Sequence, residues 1–187
     1  MTPKESNDTN TVEVDGIRFE ILVPKDMLTL PPEKPGSEVS VQIGIQITNN
    51  TLTPFRFSFY ASLIPELLMP NERIVRGDYS TTFLRRRFES DFPLTMPGEN
   101  VIFFPHAKLL WIKRKVLGLK IAAGDGGSWI FDNLTTATYK VRFILSNQNA
   151  KATVDDGVSK EMKLIENVWS GTMSTPFMQF NLVKLHT

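Results

Sequence analysis

The chain has 187 residues, no cysteine, and 21 Lys and Arg against 20 Asp and Glu, for a formal net charge of +1. That length suits one domain whose core stands without staples, and the missing cysteines exclude disulfides, thiolate nucleophiles and Cys-based zinc or iron–sulfur sites. A balanced charge gives no global attraction to nucleic acid, an anionic membrane or acidic substrates, so binding of that kind requires a local patch.

Residues 1 to 11 are polar and unpatterned and read as a disordered tail, with a single domain over 12–187. The first eight residues carry no apolar run of the kind a signal peptide needs, and no apolar stretch approaches the ~20 residues that span a bilayer. The expectation is a soluble, cytoplasmic protein. Ile17, Phe19, Ile21 and Val23 recur with period two, with Arg18 and Glu20 as the polar residues between, and predict a first strand. Pro24 to Gly36, with four prolines, predicts a loop, because Pro lacks a backbone donor and fixes φ. Val39 to Tyr60 holds the clearest pattern. Val39, Val41, Ile43, Ile45 and Ile47 alternate with polar residues, a turn follows at Asn49–Pro54, and Phe55, Phe57 and Phe59 resume the alternation. Period two with a turn between predicts two half-buried consecutive strands.

Ile64 to Pro70 is bracketed by Pro65 and Pro70 and fits one helical turn. Short strands are expected at Ile74–Arg76 and Thr81–Phe88. Met96-Pro97-Gly98-Glu99 is a turn signal, and Val101–Phe104 a buried strand. Lys108 to Ile121 mixes helical and strand spacing; Gly118 lowers helix propensity, which favours a strand over its second half. Ala123–Gly127 is a turn and Trp129–Phe131 a short strand. Tyr139, Val141, Phe143 and Leu145 mark another clear strand. Asn147 to Lys163 is polar and predicts a long exposed loop. Asn167–Ser170 and Thr175–Val183 close the domain, with Met178, Phe180 and Leu182 facing in. The sum is an all-β chain: an antiparallel β-sandwich with long loops and little helix.

Chemistry-bearing motifs are sparse. His106 and His186 are the only histidines, and neither has a partner at ligand-like spacing. Gly124-Asp125-Gly126-Gly127 lacks the Lys-Ser/Thr ending and following helix of a phosphate loop, and no Gly-x-Ser-x-Gly elbow is present. No catalytic residue, metal site or cofactor is therefore expected. Asn49-Asn50-Thr51 and Asn133-Leu134-Thr135 match the glycosylation sequon but read as turn residues tolerant of left-handed backbone. Two basic clusters are the candidate binding residues: Arg85, Arg86 and Arg87 beside Phe83, Leu84 and Phe88, and Lys113, Arg114 and Lys115 after Trp111. Arginine forks grip phosphate or carboxylate, and neighbouring aromatics stack on bases; the alternative is a solvated edge that deters sheet-to-sheet aggregation.

Val41–Thr51 followed by Pro54-Phe55-Arg56-Phe57, the turn Pro97-Gly98-Glu99, and Leu134–Val141 with Tyr139 at the strand start together resemble small bacterial immunoglobulin-like domains, among them the intracellular proteinase inhibitors. Ala137-Thr138 stands where that pattern usually carries Gly. The close, Val168–Thr172 with Thr175-Pro176-Phe177, resembles the ending of other bacterial sandwich domains. The resemblance implies an immunoglobulin-like sandwich and transfers no catalytic or inhibitory residue.

The leading functional expectation is a non-enzymatic interaction module whose partner is another protein or peptide, acting through loops or an edge strand. A proteinase inhibitor would present an exposed loop, with Pro31-Pro32 as a source of rigidity. Polyanion binding would use the two basic clusters, and an enzyme would centre on His106. Nucleic acid is not the expected partner.

Overall fold

The computed structural model describes the backbone of Lys4–Glu5 and residues 10–158 and 161–184. In chain order its strands are β1 (Lys4–Glu5), β2 (Thr11–Val14), β3 (Ile17–Leu22), β4 (Met27–Thr29), β5 (Glu38–Val41), β6 (Gly44–Asn49), β7 (Phe55–Arg56), β8 (Leu63–Leu68), β9 (Ile74–Arg76) and β10 (Asp78–Ser80). A 3-10 turn over Glu89–Asp91 follows. Then come β11 (Leu94–Thr95), β12 (Asn100–Phe103), β13 (Ala107–Lys113), β14 (Val116–Ala122), β15 (Ser128–Leu134), β16 (Thr138–Asn147), β17 (Ala152–Asp155), β18 (Met162–Ile165), β19 (Gly171–Ser174) and β20 (Met178–Val183). The chain is thus nearly all β, and among the described residues no helix is long and apolar enough to cross a membrane.

The strands form several sheets: β1-β2-β3-β6-β12, β10-β15-β14-β13-β5, and β4-β20-β16-β8-β9 with β19 also on β16, plus the small pairs β7–β11 and β17–β18. Among the described residues every strand ladder is antiparallel except β4 on β20, and two isolated bridges, Arg56–Val168 and Phe88–Asp155, are parallel. Period two does the sorting. In β3, Ile17, Phe19 and Ile21 are buried and their neighbours are not; in β16, Tyr139, Val141, Phe143 and Leu145 do the same. These faces join Ile45, Ile47, Leu67, Leu109, Leu119 and Phe180 in one contiguous core. A separate small core of Tyr60, Phe92, Val154, Ile165 and Val168 lies beneath the β17–β18 hairpin.

Several expectations are corrected. The runs at 39–48 and 55–60 are not a consecutive pair. The first divides between two sheets, β5 on β13 and β6 on β3 and β12. The alternation breaks where the chain crosses, since Ile43, Gly44 and Ile45 are buried in succession. Gly44 permits the crossing: a Cβ there would lie 2.5 Å from the Phe103 carbonyl oxygen and from the Phe104 ring. In the second run only Phe55–Arg56 joins a ladder, against β11. Phe57 and Phe59 are buried all the same, their N–H groups donating to Pro93 O (3.1 Å) and Asp91 O (2.9 Å).

Ile64–Leu68 lies in β8 and forms no helical turn, and the strand ends before Pro70. Pro65 sits opposite Phe143, whose N–H donates to Thr175 Oγ1 (3.0 Å) and whose carbonyl accepts from Thr175 N (2.9 Å). Phe143 asks nothing of Pro65, and β9 begins pairing only at Glu66, so the missing proline donor costs no ladder bond. Both halves of Lys108–Ile121 are strand, joined at Arg114-Lys115. The expected loop at 147–163 contains β17 and the start of β18, the loop at 24–36 contains β4, and Asn167–Ser170 supplies only a single bridge, Val168 to Arg56. Of the expected tail, 1–3 and 6–9 lie outside the described residues, whereas Lys4–Glu5 pairs with β2 and Thr11 is buried.

Candidate binding groove

Residues 81–87 form no strand, contrary to expectation, but they are held by backbone bonds at several points. This strap leaves β10 and crosses the turn that joins β14 to β15. That turn is closed by Ala123 N to Gly127 O (2.9 Å) and Gly126 N to Ala123 O (3.2 Å), and Asp125 Oδ1 accepts from Gly127 N (2.9 Å). It is a docking platform and not a phosphate cradle: Arg85 N donates to Asp125 O (2.8 Å). Gly126 holds φ +97°, a left-handed value that favours glycine, and faces the strap at Phe83 and Arg85. Tyr79 Oη donates to Asp125 Oδ2 (2.6 Å), and this bond, followed by burial, raises the Tyr79 pKa above its ordinary value. The strap ends against the β17–β18 hairpin, where Asp155 N donates to Arg87 O (2.8 Å).

The three arginines have different partners. Arg85 places both Nη atoms on Asp91, with Nη1 to Oδ2 at 2.9 Å; that pairing raises the Arg85 pKa further above its ordinary value. Asp91 Oδ2 also accepts from Phe88 N (2.8 Å). Arg86 Nη1 reaches Asp155 Oδ2 (2.7 Å), and Asp155 Oδ1 accepts from Gly157 N (2.8 Å). The Gly157 amide first, and Arg86 second, hold the Asp155 pKa below its ordinary value. Arg87 lies with Cζ 4.9 Å from the centroid of the Tyr60 ring. Among the described residues Arg87 has no ion pair. Tyr60 is fixed by its hydroxyl, which donates to Arg85 O, and by the small core beneath it.

A groove runs between strap and hairpin, lined by Tyr60, Arg85, Arg86, Arg87, Thr153, Asp155 and Met162. Alternation along β17 and β18 explains the lining. Val154 and Ile165 point down into the small core, while Thr153, Met162 and Leu164 stay exposed. Beside the arginines the strap exposes Phe83 (69%) and Leu84 (65%), and the hairpin exposes Met162 (64%) and Leu164 (57%).

The second basic cluster lies elsewhere. Lys113, Arg114 and Lys115 are exposed at the β13–β14 turn and border a hollow with Lys34, Pro35 and Trp111. β14 has seven residues between this turn and the Asp125 turn, so the clusters stand roughly 20 Å apart at ~3.3 Å per residue. They do not form one patch. Of Pro31-Pro32, the expected source of loop rigidity, Pro31 is buried and its carbonyl accepts from Trp111 Nε1 (3.0 Å), while Pro32 is exposed.

His106 is exposed, and among the described residues no carboxylate contacts its ring; its carbonyl accepts from Ala122 N (2.8 Å). His186 lies outside the described residues. Among those residues no group of three or more His, Asp or Glu is placed to hold a metal ion. Asn49, the first residue of one sequon, is fully buried at the end of β6 and donates to Thr53 O (2.8 Å) and Thr95 O (2.9 Å); its backbone is not left-handed, whereas Asn133 holds φ 55° within β15. The strap itself was legible in the sequence only as charge. The hairpin that walls the groove was missed, because its strands carry no strong apolar alternation. Comparison with protein-family models, curated proteins and solved structures returns no match to this chain.

Proposed function

We propose that this chain is a non-enzymatic module that binds another protein or peptide, built on an immunoglobulin-like sandwich, and that the groove between strap and hairpin is its contact surface. The observation that carries the reading is the strap. It lies outside every sheet, yet its backbone is pinned to the Asp125 turn, to Tyr60 and to the hairpin, and it exposes Phe83 and Leu84 beside Arg87. Apolar side chains on a pre-ordered segment lower the entropy cost of association, and aromatic and arginine anchors dominate interface energies. The immunoglobulin-like part of the reading is supported by Tyr139, which opens β16 and whose hydroxyl accepts from Thr135 N (2.9 Å) and donates to Thr135 O (3.2 Å). A tyrosine bonding back across a strand corner is a hallmark of such sandwiches. The test is a photo-crosslinking residue at position 83, compared with one at position 115, in lysate of the source cells. A discrete protein adduct from 83 and none from 115 is expected; matching adducts from both, or none from 83, would sink the assignment.

The strap also favours a proteinase inhibitor as the second reading. An exposed non-sheet segment held at its end by Arg85 N and Arg87 O suits presentation to a protease cleft better than the buried Pro31. A panel of serine, cysteine and metalloproteases separates the two. Stoichiometric inhibition with the strap uncut supports the inhibitor, and rapid cleavage after Arg85–Arg87 without inhibition removes it.

A further inference from the structure

The groove holds one arginine without an ion pair among the described residues. Arg85 is matched by Asp91 and Arg86 by Asp155, and Asp125 is occupied by Tyr79 and Gly127. Arg87, with no counter-ion among the described residues, rests on the Tyr60 ring. Stacking uses the flat face of a guanidinium and leaves its N–H edge for a planar acceptor. The platform does not turn away, because Tyr60 is tied through its hydroxyl and carries Arg85 Cζ at 5.5 Å on the same ring. Thr153 and Met162 complete the walls, one offering a hydroxyl and the other an adaptable thioether.

The charge count decides what fits. One unmatched cation beside two neutralised ones suits a monoanion. A polyphosphate or nucleic acid backbone would meet Asp155 in the same groove and gain a single favourable contact. A carboxylate matches the guanidinium edge in geometry as well as in charge. Apolar groups border the arginines on both sides, Phe83 and Leu84 on the strap and Met162 and Leu164 on the hairpin. A free carboxylate metabolite would leave these uncovered.

We infer that the groove takes an extended peptide segment bearing one Asp or Glu between apolar residues, its carboxylate seated on Arg87; this rests on the reading of the groove as a protein-contact surface. The test is selection of displayed random dodecapeptides on the immobilised full chain, in parallel with Arg87→Gln and Arg87→Lys. Arg87 is exposed, so both variants are expected to fold, and their melting curves check this. The wild type should enrich sequences with one fixed acidic position flanked by apolar residues. Replacing that residue by its amide, or using Arg87→Gln, should weaken binding roughly tenfold or more, with Arg87→Lys between. No enrichment, or enrichment of neutral sequences indifferent to Arg87→Gln, overturns the inference. So does displacement of the selected peptide by polyphosphate at lower concentration than by the monoanionic α-amide of N-acetylglutamate. A position-83 adduct together with neutral selected peptides would retain the contact surface and reject the carboxylate, so the two readings fail separately.

Discussion

Gly124→Ala offers the sharpest test of how the strap platform is joined to the core. Gly124 abuts the backbone of the 57–62 segment. A Cβ at this position would lie 1.8 Å from the Phe59 carbonyl oxygen and 2.6 Å from that of Tyr60. Real contacts of this kind essentially never fall under 3.0 Å, so the two segments must part by more than an ångström. Neither offers a side chain that can swing aside. Phe59 is tied to Asp91 O and packs its ring on Phe103 at 4.3 Å between centroids, and the turn is tied to Arg85. Overpacking of this kind costs about 3 kcal/mol, offset by about 0.5–1 kcal/mol from the lower entropy of the unfolded alanine chain. The net loss of about 2 kcal/mol corresponds to a melting temperature lower by roughly 4–8 °C for a chain of this size. Calorimetry measures the drop, and amide exchange should show the Arg85 N–H, which donates to Asp125 O, opening faster. Gly157→Ala is the control: unlike Gly124 it carries a positive φ, +75°, and a Cβ there meets nothing within 4 Å, so its cost is about 1–2 kcal/mol of backbone strain alone and leaves Arg85 exchange unchanged. A Gly124→Ala variant that melts with the parent, with Arg85 exchange unaltered, would refute the close approach and the platform with it.

Glu66 is buried within β8 and takes Arg142 Nε (2.9 Å) and Nη2 (2.7 Å) on one oxygen and Arg76 (3.2 Å) on the other. Arg142→Met leaves that charge with the more exposed Arg76, at a cost of about 2–4 kcal/mol, whereas adding Glu66→Leu should restore much of the loss; urea unfolding of the single and double variants decides this. Tyr139→Phe keeps the stack on Phe180 and removes only the corner bonds, so about 1 kcal/mol is expected, while Tyr139→Ala should cost about 3–5 kcal/mol. The Asp155 pKa lies below its ordinary 3.8 when folded. The folded chain therefore binds fewer protons there, so this stabilisation is full above about pH 4 and is lost as pH falls through the lowered value. Gly157 N–H should titrate in NMR with a midpoint below 3.8, rising toward it in Arg86→Gln; a wild-type midpoint at or above 3.8 breaks the account.

Period two is a local property of the chain, and where one face is buried it needs no knowledge of the partner. The inward faces of β3, β6, β16 and β20 were readable for that reason, as were the turns at Gly98 and Gly124–Gly127 and the two basic clusters as sequence. Pairing is not local. The sequence around Val39–Thr48 looks like one strand because each half alternates, and only the close packing of Gly44 under Phe103 shows that the halves belong to different sheets. Pro65 argues for a break until Thr175 is seen to satisfy Phe143 in its place. The hairpin β17–β18 is polar along much of its length and becomes structure because Val154 and Ile165 cover Tyr60, Phe92 and Val168. The charge of Arg85, Arg86 and Arg87 was visible from the start. Which of the three is available to a ligand was decided by tertiary structure, because Asp155 lies 69 residues from the arginine it neutralises and Tyr60 supplies Arg87 with a ring instead of a counter-charge.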